Sequence, residues 1–183
     1  DSVKRACEVA VSGMHNFFII LPPGSGKTML AKRIPGILPP MTEEEQLEIS
    51  KIYSICGMLP QDGALIRSRP FRTPHHTISP NGLAGGGAVP KPGEISLAHK
   101  GVLFLDELPE YKKSTLEILR QPMEDKEITL VRQSGTYRYP SDFMLVAAMN
   151  PCKCGYYPDR SKCNCRETEI SRYLGRVSKP LLD

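Results

Sequence analysis

Gly24-Ser25-Gly26-Lys27-Thr28 follows an apolar run, Phe17-Phe18-Ile19-Ile20-Leu21, and precedes Met29, Leu30 and Ile34 at helical spacing. A strand-to-helix turn of this composition can hold a triphosphate. Glycines let backbone N–H groups converge on phosphate oxygens, and the helix start adds the positive end of its dipole. Lys27 reaches the β and γ phosphates, and Thr28 offers a hydroxyl to Mg²⁺. The nucleotide-contacting loop is expected to comprise Pro23, Gly24, Ser25, Gly26, Lys27, Thr28 and Met29. The full spacing G-x-x-x-x-G-K-[ST] places a glycine at position 21, where this chain has Leu21. A turn demanding φ > 0 there would strain the leucine. Asp106 and Glu107 close a second apolar run, Val102-Leu103-Phe104-Leu105. At such a strand end Asp106 can hold Mg²⁺ through water, and Glu107 can polarise the water that attacks the γ-phosphate. Asn150 ends a third apolar run, Phe143 to Met149, where its amide can contact the γ-phosphate or the attacking water. Catalysis therefore falls to Lys27, Glu107 and Asn150, and Mg²⁺ to Thr28 and Asp106. The glutamate points to hydrolysis by an ATPase motor rather than transfer to a small molecule.

Four of the six cysteines form a second chemical group: Cys152, Cys154, Cys163 and Cys165, spaced C-x-C, eight residues, C-x-C. Two close pairs joined by a polar loop with Gly155 and Pro158 can supply four thiolates to Zn²⁺. The usual zinc pair is C-x-x-C, so reduced free thiols and, last, disulfides stay open as readings of the group. Cys7 and Cys56 fall in segments of helical spacing and read as small buried apolar residues. His75 and His76 are adjacent, and neighbours on a regular strand face opposite sides, so they read as residues that position the surrounding loop. Gly85-Gly86-Gly87 lacks a lysine and a helix start in register, and reads as a flexible turn rather than a second phosphate loop.

Elements must place these groups together. A helix is expected over Val3–Ser12, with Ser2 as N-cap and Gly13 as stop, then the strand Phe17–Leu21, and a helix from Lys27 to near Pro35. Thr42 and Glu45 make a capping box opening a third helix towards Gly57. Between Gly57 and Lys100 six prolines and six further glycines signal functional loops or an insertion. Strand 102–105 precedes a helix over Ser114–Gln121, which Pro122 ends or kinks. Ile128–Arg132 and Thr136–Tyr139 flank a polar turn as a β-hairpin, and strand 143–149 follows. Strand, helix, strand, helix, strand argues for a parallel sheet flanked by helices.

The 183 residues are 40% hydrophobic and 24% charged, which excludes a disordered or collagen-like chain and fits one domain with a subdomain at most. Net charge is +4, too mild to imply nucleic acid by itself. No apolar run approaches the ~20 residues that cross a bilayer, and no export signal is visible, so a cytoplasmic, reducing location is the expectation. A start at Asp1 without Met, and a stop after Leu181-Leu182-Asp183, read as a piece of a larger protein.

Leu21 to Thr28, Gly101 to Glu107 and Ala147 to Pro151 resemble the Walker A, Walker B and sensor 1 segments of AAA+ ATPases. Pro70-Phe71-Arg72-Thr73-Pro74-His75-His76-Thr77, Pro92 to His99 and Asn150-Pro151-Cys152 narrow the resemblance to the magnesium-chelatase-like competence proteins of bacteria, the ComM or YifB type. The resemblance covers nearly the whole chain. It implies a three-layer α/β P-loop core over 1–183, with an insertion in helix 2 at 70–100, a hairpin before sensor 1 and a Cys-rich loop at 151–166. It also implies ATP and Mg²⁺ as ligands, a hexameric ring, and DNA helicase activity driving branch migration in natural transformation. In ring translocases of this clade the hairpin points into the pore, which makes Arg132, Tyr137 and Arg138 candidates for single-stranded or branched DNA, against ordinary cross-strand pairs of a solvated hairpin.

Relatives offer a neighbouring subunit an arginine just after Leu-Leu-Asp. The chain stops at Asp183, so Arg172 and Arg176 are alternative finger candidates. The isolated chain is expected to bind nucleotide, hydrolyse it weakly and remain monomeric. Two other functions stay open: an ATP-driven protein remodeller of the metal-chelatase type, and a nucleotide-gated binding module without significant hydrolysis, for which Leu21 argues.

Overall fold

The computed structural model describes residues 2–177. Helix α1 (Ser2–Ser12) leads into strand β1 (Phe17–Ile20), and the glycine-rich loop connects β1 to α2 (Lys27–Arg33). Helix α3 (Glu43–Ile55) opens with the expected capping box: Thr42 Oγ1 accepts from the Glu45 N–H, and the Glu45 carboxylate accepts from the Thr42 N–H. The proline- and glycine-rich stretch then builds β2 (Phe71–Arg72), α4 (Pro80–Ala84), β3 (Gly85–Gly86), β4 (Lys91–Pro92) and α5 (Glu94–Leu97). After it come β5 (Val102–Leu105), α6 (Lys113–Glu117), α7 (Arg120–Asp125), the hairpin β6 (Glu127–Arg132) and β7 (Gly135–Pro140), then β8 (Met144–Met149) and α8 (Glu167–Leu174).

The main sheet has the order β1-β8-β5-β2, and each neighbouring pair is parallel. Alternation along its strands divides the core in two. On one face Val102, Phe104, Met144, Val146 and Ala148 pack with Ala10 and Val11 of α1 and Ala31 of α2. On the other, Leu103, Leu105, Leu145 and Ala147 pack with Leu83, Ile95, Leu116 and the hairpin residues Ile128 and Leu130. All six residues of β8 and all four of β5 are buried, as strands covered on both faces must be. Among the described residues no helix is long and apolar enough to cross a membrane.

Four features differ from the sequence expectation. Phe71–Arg72 adds a strand to the main sheet, so the first residues of the 70–100 segment belong to the core. Gly85-Gly86-Gly87 is no flexible turn: Gly85 pairs with Pro92, and a Cβ on it would stand 2.4 Å from the Lys91 carbonyl oxygen. Close backbone approach is the reason for glycine there. The helix expected over 114–121 is two short helices, and Pro122 lies in the first turn of α7, where its missing N–H removes no helical bond. Helix α8, finally, had no expected counterpart.

Ion pairs and buried hydroxyls fasten the 57–100 stretch to the sheet. Arg72 grips Glu94 through two bonds of 2.6 and 2.7 Å, joining β2 to α5. Tyr111 Oη donates to the Pro74 carbonyl at 2.5 Å, and Tyr139 Oη of β7 donates to the Pro90 carbonyl at 2.8 Å.

Candidate active site

Parallel strands β1, β8 and β5 end side by side, so the residues that follow them converge at one edge of the sheet, where α/β folds bind ligands. Gly24 (φ 76°) and Gly26 (φ 81°) adopt left-handed backbone, which explains both glycines. Ser25 closes the turn by donating its hydroxyl to the Pro22 carbonyl at 2.7 Å. Gly26 precedes α2 without a side-chain cap, leaving the first amides of the helix to a ligand. The strain expected at Leu21 is not there. Non-glycine residues with positive φ among the described residues are Met14, Lys100, Glu107 and Lys126. Leu21 instead continues the course of β1, its amide donating to the Met149 carbonyl and its side chain packing on the core.

Lys27 Nζ donates to three acceptors: the carbonyls of Leu21 (3.0 Å) and Pro22 (3.1 Å) and Asn150 Oδ1 (2.8 Å). An ammonium has three protons, so this arrangement saturates it and ties the loop to the end of β8. Thr28 Oγ1 donates to Asp106 Oδ2 at 2.6 Å. A hydroxyl and a carboxylate at that distance are oxygen ligands suited to Mg²⁺, a hard cation that keeps several of its waters. Asp106 Oδ1 also accepts from the Glu107 amide at 2.9 Å.

Glu107 has φ 53° and ψ 46°, a conformation that costs a non-glycine residue roughly 1–2 kcal/mol. Its carboxylate is 65% exposed, and Oε2 stands 3.7 Å from His76 Nδ1. The His76 ring in turn lies against His75, with centroids 4.0 Å apart, and meets Tyr111 edge-on. Burial, and then the charges of Asp106 and Glu107, push the Tyr111 phenol far above its ordinary range. Tyr111 therefore stays a neutral donor to Pro74 and holds the histidine segment beside the glutamate.

Lys27, Asp106, Glu107 and Asn150 line a cleft of about 440 Å³. Sequence reasoning missed several of its other walls: Glu110, Lys153, Glu169 and Tyr173, as well as the nearness of His76 to Glu107. Lys153 carried a signal, since it lies between two cysteines three residues past Asn150. Arg172 and Arg176 line this chain's own cleft, and Arg176 Nη1 reaches Glu110 at 3.4 Å. Leu181-Leu182-Asp183 lies outside the described residues.

The four cysteines of the 151–166 loop also come together. Their sulfurs all lie within 4.8 Å of one another, and no disulfide joins them. Arg132 and Arg138 are exposed on the hairpin and Tyr137 is half-buried. Arg138 lies 3.7 Å from Glu127 across the ladder, and Tyr137 bonds Ser134.

Residues 1–183 match the family described as magnesium chelatase, subunit ChlI. The chain belongs to this family. A YifB protein of Salmonella typhimurium is 49% identical over 182 residues, covering 98% of this chain and 35% of that protein. Competence protein ComM of Haemophilus influenzae is 48% identical over 183 residues, covering 98% and 35%. The chain thus spans about a third of the length of the curated relatives it matches. Among solved structures, NtrX of Brucella abortus in complex with ATP superposes with a TM-score of 0.59 at 19% identity, covering 99% of this chain and 33% of that one. That likeness concerns the fold: the three-layer α/β P-loop core of AAA+ proteins, as the resemblance implied.

Proposed function

We propose that this chain is the ATP-hydrolysing core of a motor that acts on DNA inside the cell, and that it works as part of a hexameric ring. The observation that carries the ATPase reading is the meeting of three strand ends: Lys27 bonded to Asn150, and Thr28 bonded to Asp106 with Glu107 next in the chain. A triphosphate entering the loop takes over the Lys27 protons now given to the Leu21 and Pro22 carbonyls. Lys27 then holds its β and γ oxygens while the glycine-loop amides bind the rest. Thr28 and Asp106 are the residues that would hold Mg²⁺, which neutralises phosphate charge when bound. Glu107, exposed at the strand end, would orient a water for in-line attack and accept its proton, and Asn150, bonded to Lys27, would contact the γ-phosphate or that water.

The DNA part of the reading draws on two supports. The hairpin projects Arg132 and Arg138, which suit phosphate, and Tyr137, which suits a base face. The relative from Haemophilus influenzae bears the name of a competence protein. The test is ATP turnover by the intact protein with and without forked DNA. Stimulation by the fork supports a motor on nucleic acid. Equal turnover with and without DNA refutes that part and favours a protein-remodelling motor, and no turnover in any condition refutes hydrolysis.

A further inference from the structure

We propose that Cys152, Cys154, Cys163 and Cys165 hold one zinc ion, and that this ion braces the wall of the nucleotide cleft; the second half rests on the cleft being the ATP site. The geometry of the sulfurs is that of a shared ion. Cys152 Sγ lies 3.3 Å from Cys154 Sγ and 3.8 Å from Cys163 Sγ, and Cys154 Sγ lies 3.6 Å from Cys163 Sγ. Four sulfurs about 2.3 Å from a common centre in a tetrahedron stand about 3.8 Å apart. A disulfide would need about 2.05 Å.

Backbone amides prepare the group for negative charge. The Tyr157 N–H donates to Cys152 Sγ at 3.4 Å, and the Gly155 N–H is shared between that sulfur at 3.3 Å and the Cys152 carbonyl at 3.0 Å. Gly155 turns back on the sulfur through left-handed backbone, φ 89°. Four sulfurs gathered around one centre suit a dication that takes all four as thiolates, and soft thiolates in a tetrahedron select zinc over hard cations.

The loop's contacts give the ion its second role. Gly155 packs so closely on Pro23 of the phosphate loop that a Cβ would stand 2.5 Å from Pro23 Cδ. Lys153, flanked by two of the sulfurs in sequence, lines the cleft with Lys27. Cys165 immediately precedes the α8 N-cap, Arg166, and Ile170 of α8 is buried against Cys152 and Cys163. Arg160 ties the loop to the helix through the Cys165 carbonyl and Glu167. Helix α8 carries Arg172 and Tyr173 into the same cleft. With four short links to one ion, the loop fixes the phosphate-loop proline, the end of β8 and α8 together.

The experiment uses intact protein purified without chelator. Elemental analysis is expected to find one zinc per chain, released by a mercurial titrated against a zinc-sensitive dye. Replacement by Co²⁺ is expected to produce the visible absorption of a tetrahedral tetrathiolate. ATP affinity is then measured by calorimetry before and after metal release, and is expected to fall about tenfold, the worth of one well-oriented charged contact. Less than a tenth of an equivalent of zinc, together with no tetrathiolate spectrum on Co²⁺ addition, would overturn the metal site. Stoichiometric iron in place of zinc would overturn the ion's identity. Unchanged ATP affinity after complete release would overturn the bracing role and leave the site standing. Protein that binds zinc but never ATP would sink the ATPase reading, and with it the bracing role, while the metal content stands apart. The paired variant Cys163→Ser/Cys165→Ser should lose the metal; a Co²⁺ spectrum equal to that of the unaltered protein would count against the assignment.

Discussion

Lys27 bonds three acceptors and Glu107 is exposed beside a histidine, and these two states predict different consequences for removing each side chain. Lys27→Ala deletes the ammonium that reaches both the loop carbonyls and Asn150, so ATP binding should vanish in calorimetry while the fold persists. Glu107→Gln keeps the size and the backbone but cannot accept a proton. ATP affinity should stay within a few-fold of the unaltered protein, and turnover should fall by about 10²–10⁴, the usual worth of a general base. Loss of binding in Glu107→Gln, or retention of it in Lys27→Ala, would reverse the roles assigned here. His76 was legible only as a loop residue. Its nearness to Glu107 depends on a contact between two segments about thirty residues apart, and no local spacing encodes that.

At the scale of elements, the apolar runs announced β1, β5 and β8 because strands buried on both faces have no polar alternation to blur them. The capping box at Thr42 and Glu45 was legible for a similar reason: its chemistry is local. Two-residue strands such as β2 and β3 leave no periodicity, and α8 is amphipathic but short, so both depended on tertiary contacts. Gly155 illustrates how such contacts can be tested. Gly155→Ala would put a Cβ into Pro23 and hold a left-handed φ, at a cost of about 1–2 kcal/mol or more, so thermal stability and ATP affinity should fall together. A second element-scale device is His99, 4% exposed, whose Nε2 faces Glu48 at 3.0 Å while Nδ1 accepts from the Asp142 amide. Burial lowers its pKa below the ordinary 6.5, with Glu48 opposing the shift and Lys100 adding to it. The unfolded chain therefore takes up the proton first as pH falls. The stabilising contribution is intact above 6.5 and is lost as pH drops towards the folded value, with a slope of at most about 1.4 kcal/mol per unit. Urea midpoints at pH 7.5 and 5.5 should diverge less in His99→Gln; an equal divergence would remove His99 as the cause.

For the whole molecule, the hairpin β6–β7 forms its own two-stranded ladder, packs on one face of the main sheet and is tied to the 57–100 stretch through Tyr139 and Pro90. Arg132 comes close to Gly86, where an added Cβ would stand 3.1 Å from its Nη2, so the hairpin end meets the β3–β4 ladder. The inward residues Ile128, Leu130 and Tyr139 fix the register of the hairpin, so Arg132 and Arg138, both exposed, are not needed to set it. Among the described residues Arg138 pairs with Glu127, at 3.7 Å and largely in solvent, a bond worth little for stability. Reversing both charges, Arg132→Glu and Arg138→Glu, should therefore leave the melting temperature within a few degrees and ATP turnover without DNA nearly unchanged. DNA affinity of the intact protein should fall, and the slope of log affinity against log salt should shrink by about two phosphate contacts in each subunit that touches DNA. A reversed pair that binds forked DNA with the original affinity and salt slope would place the DNA-contacting surface elsewhere on the molecule, whatever the fate of ATP hydrolysis.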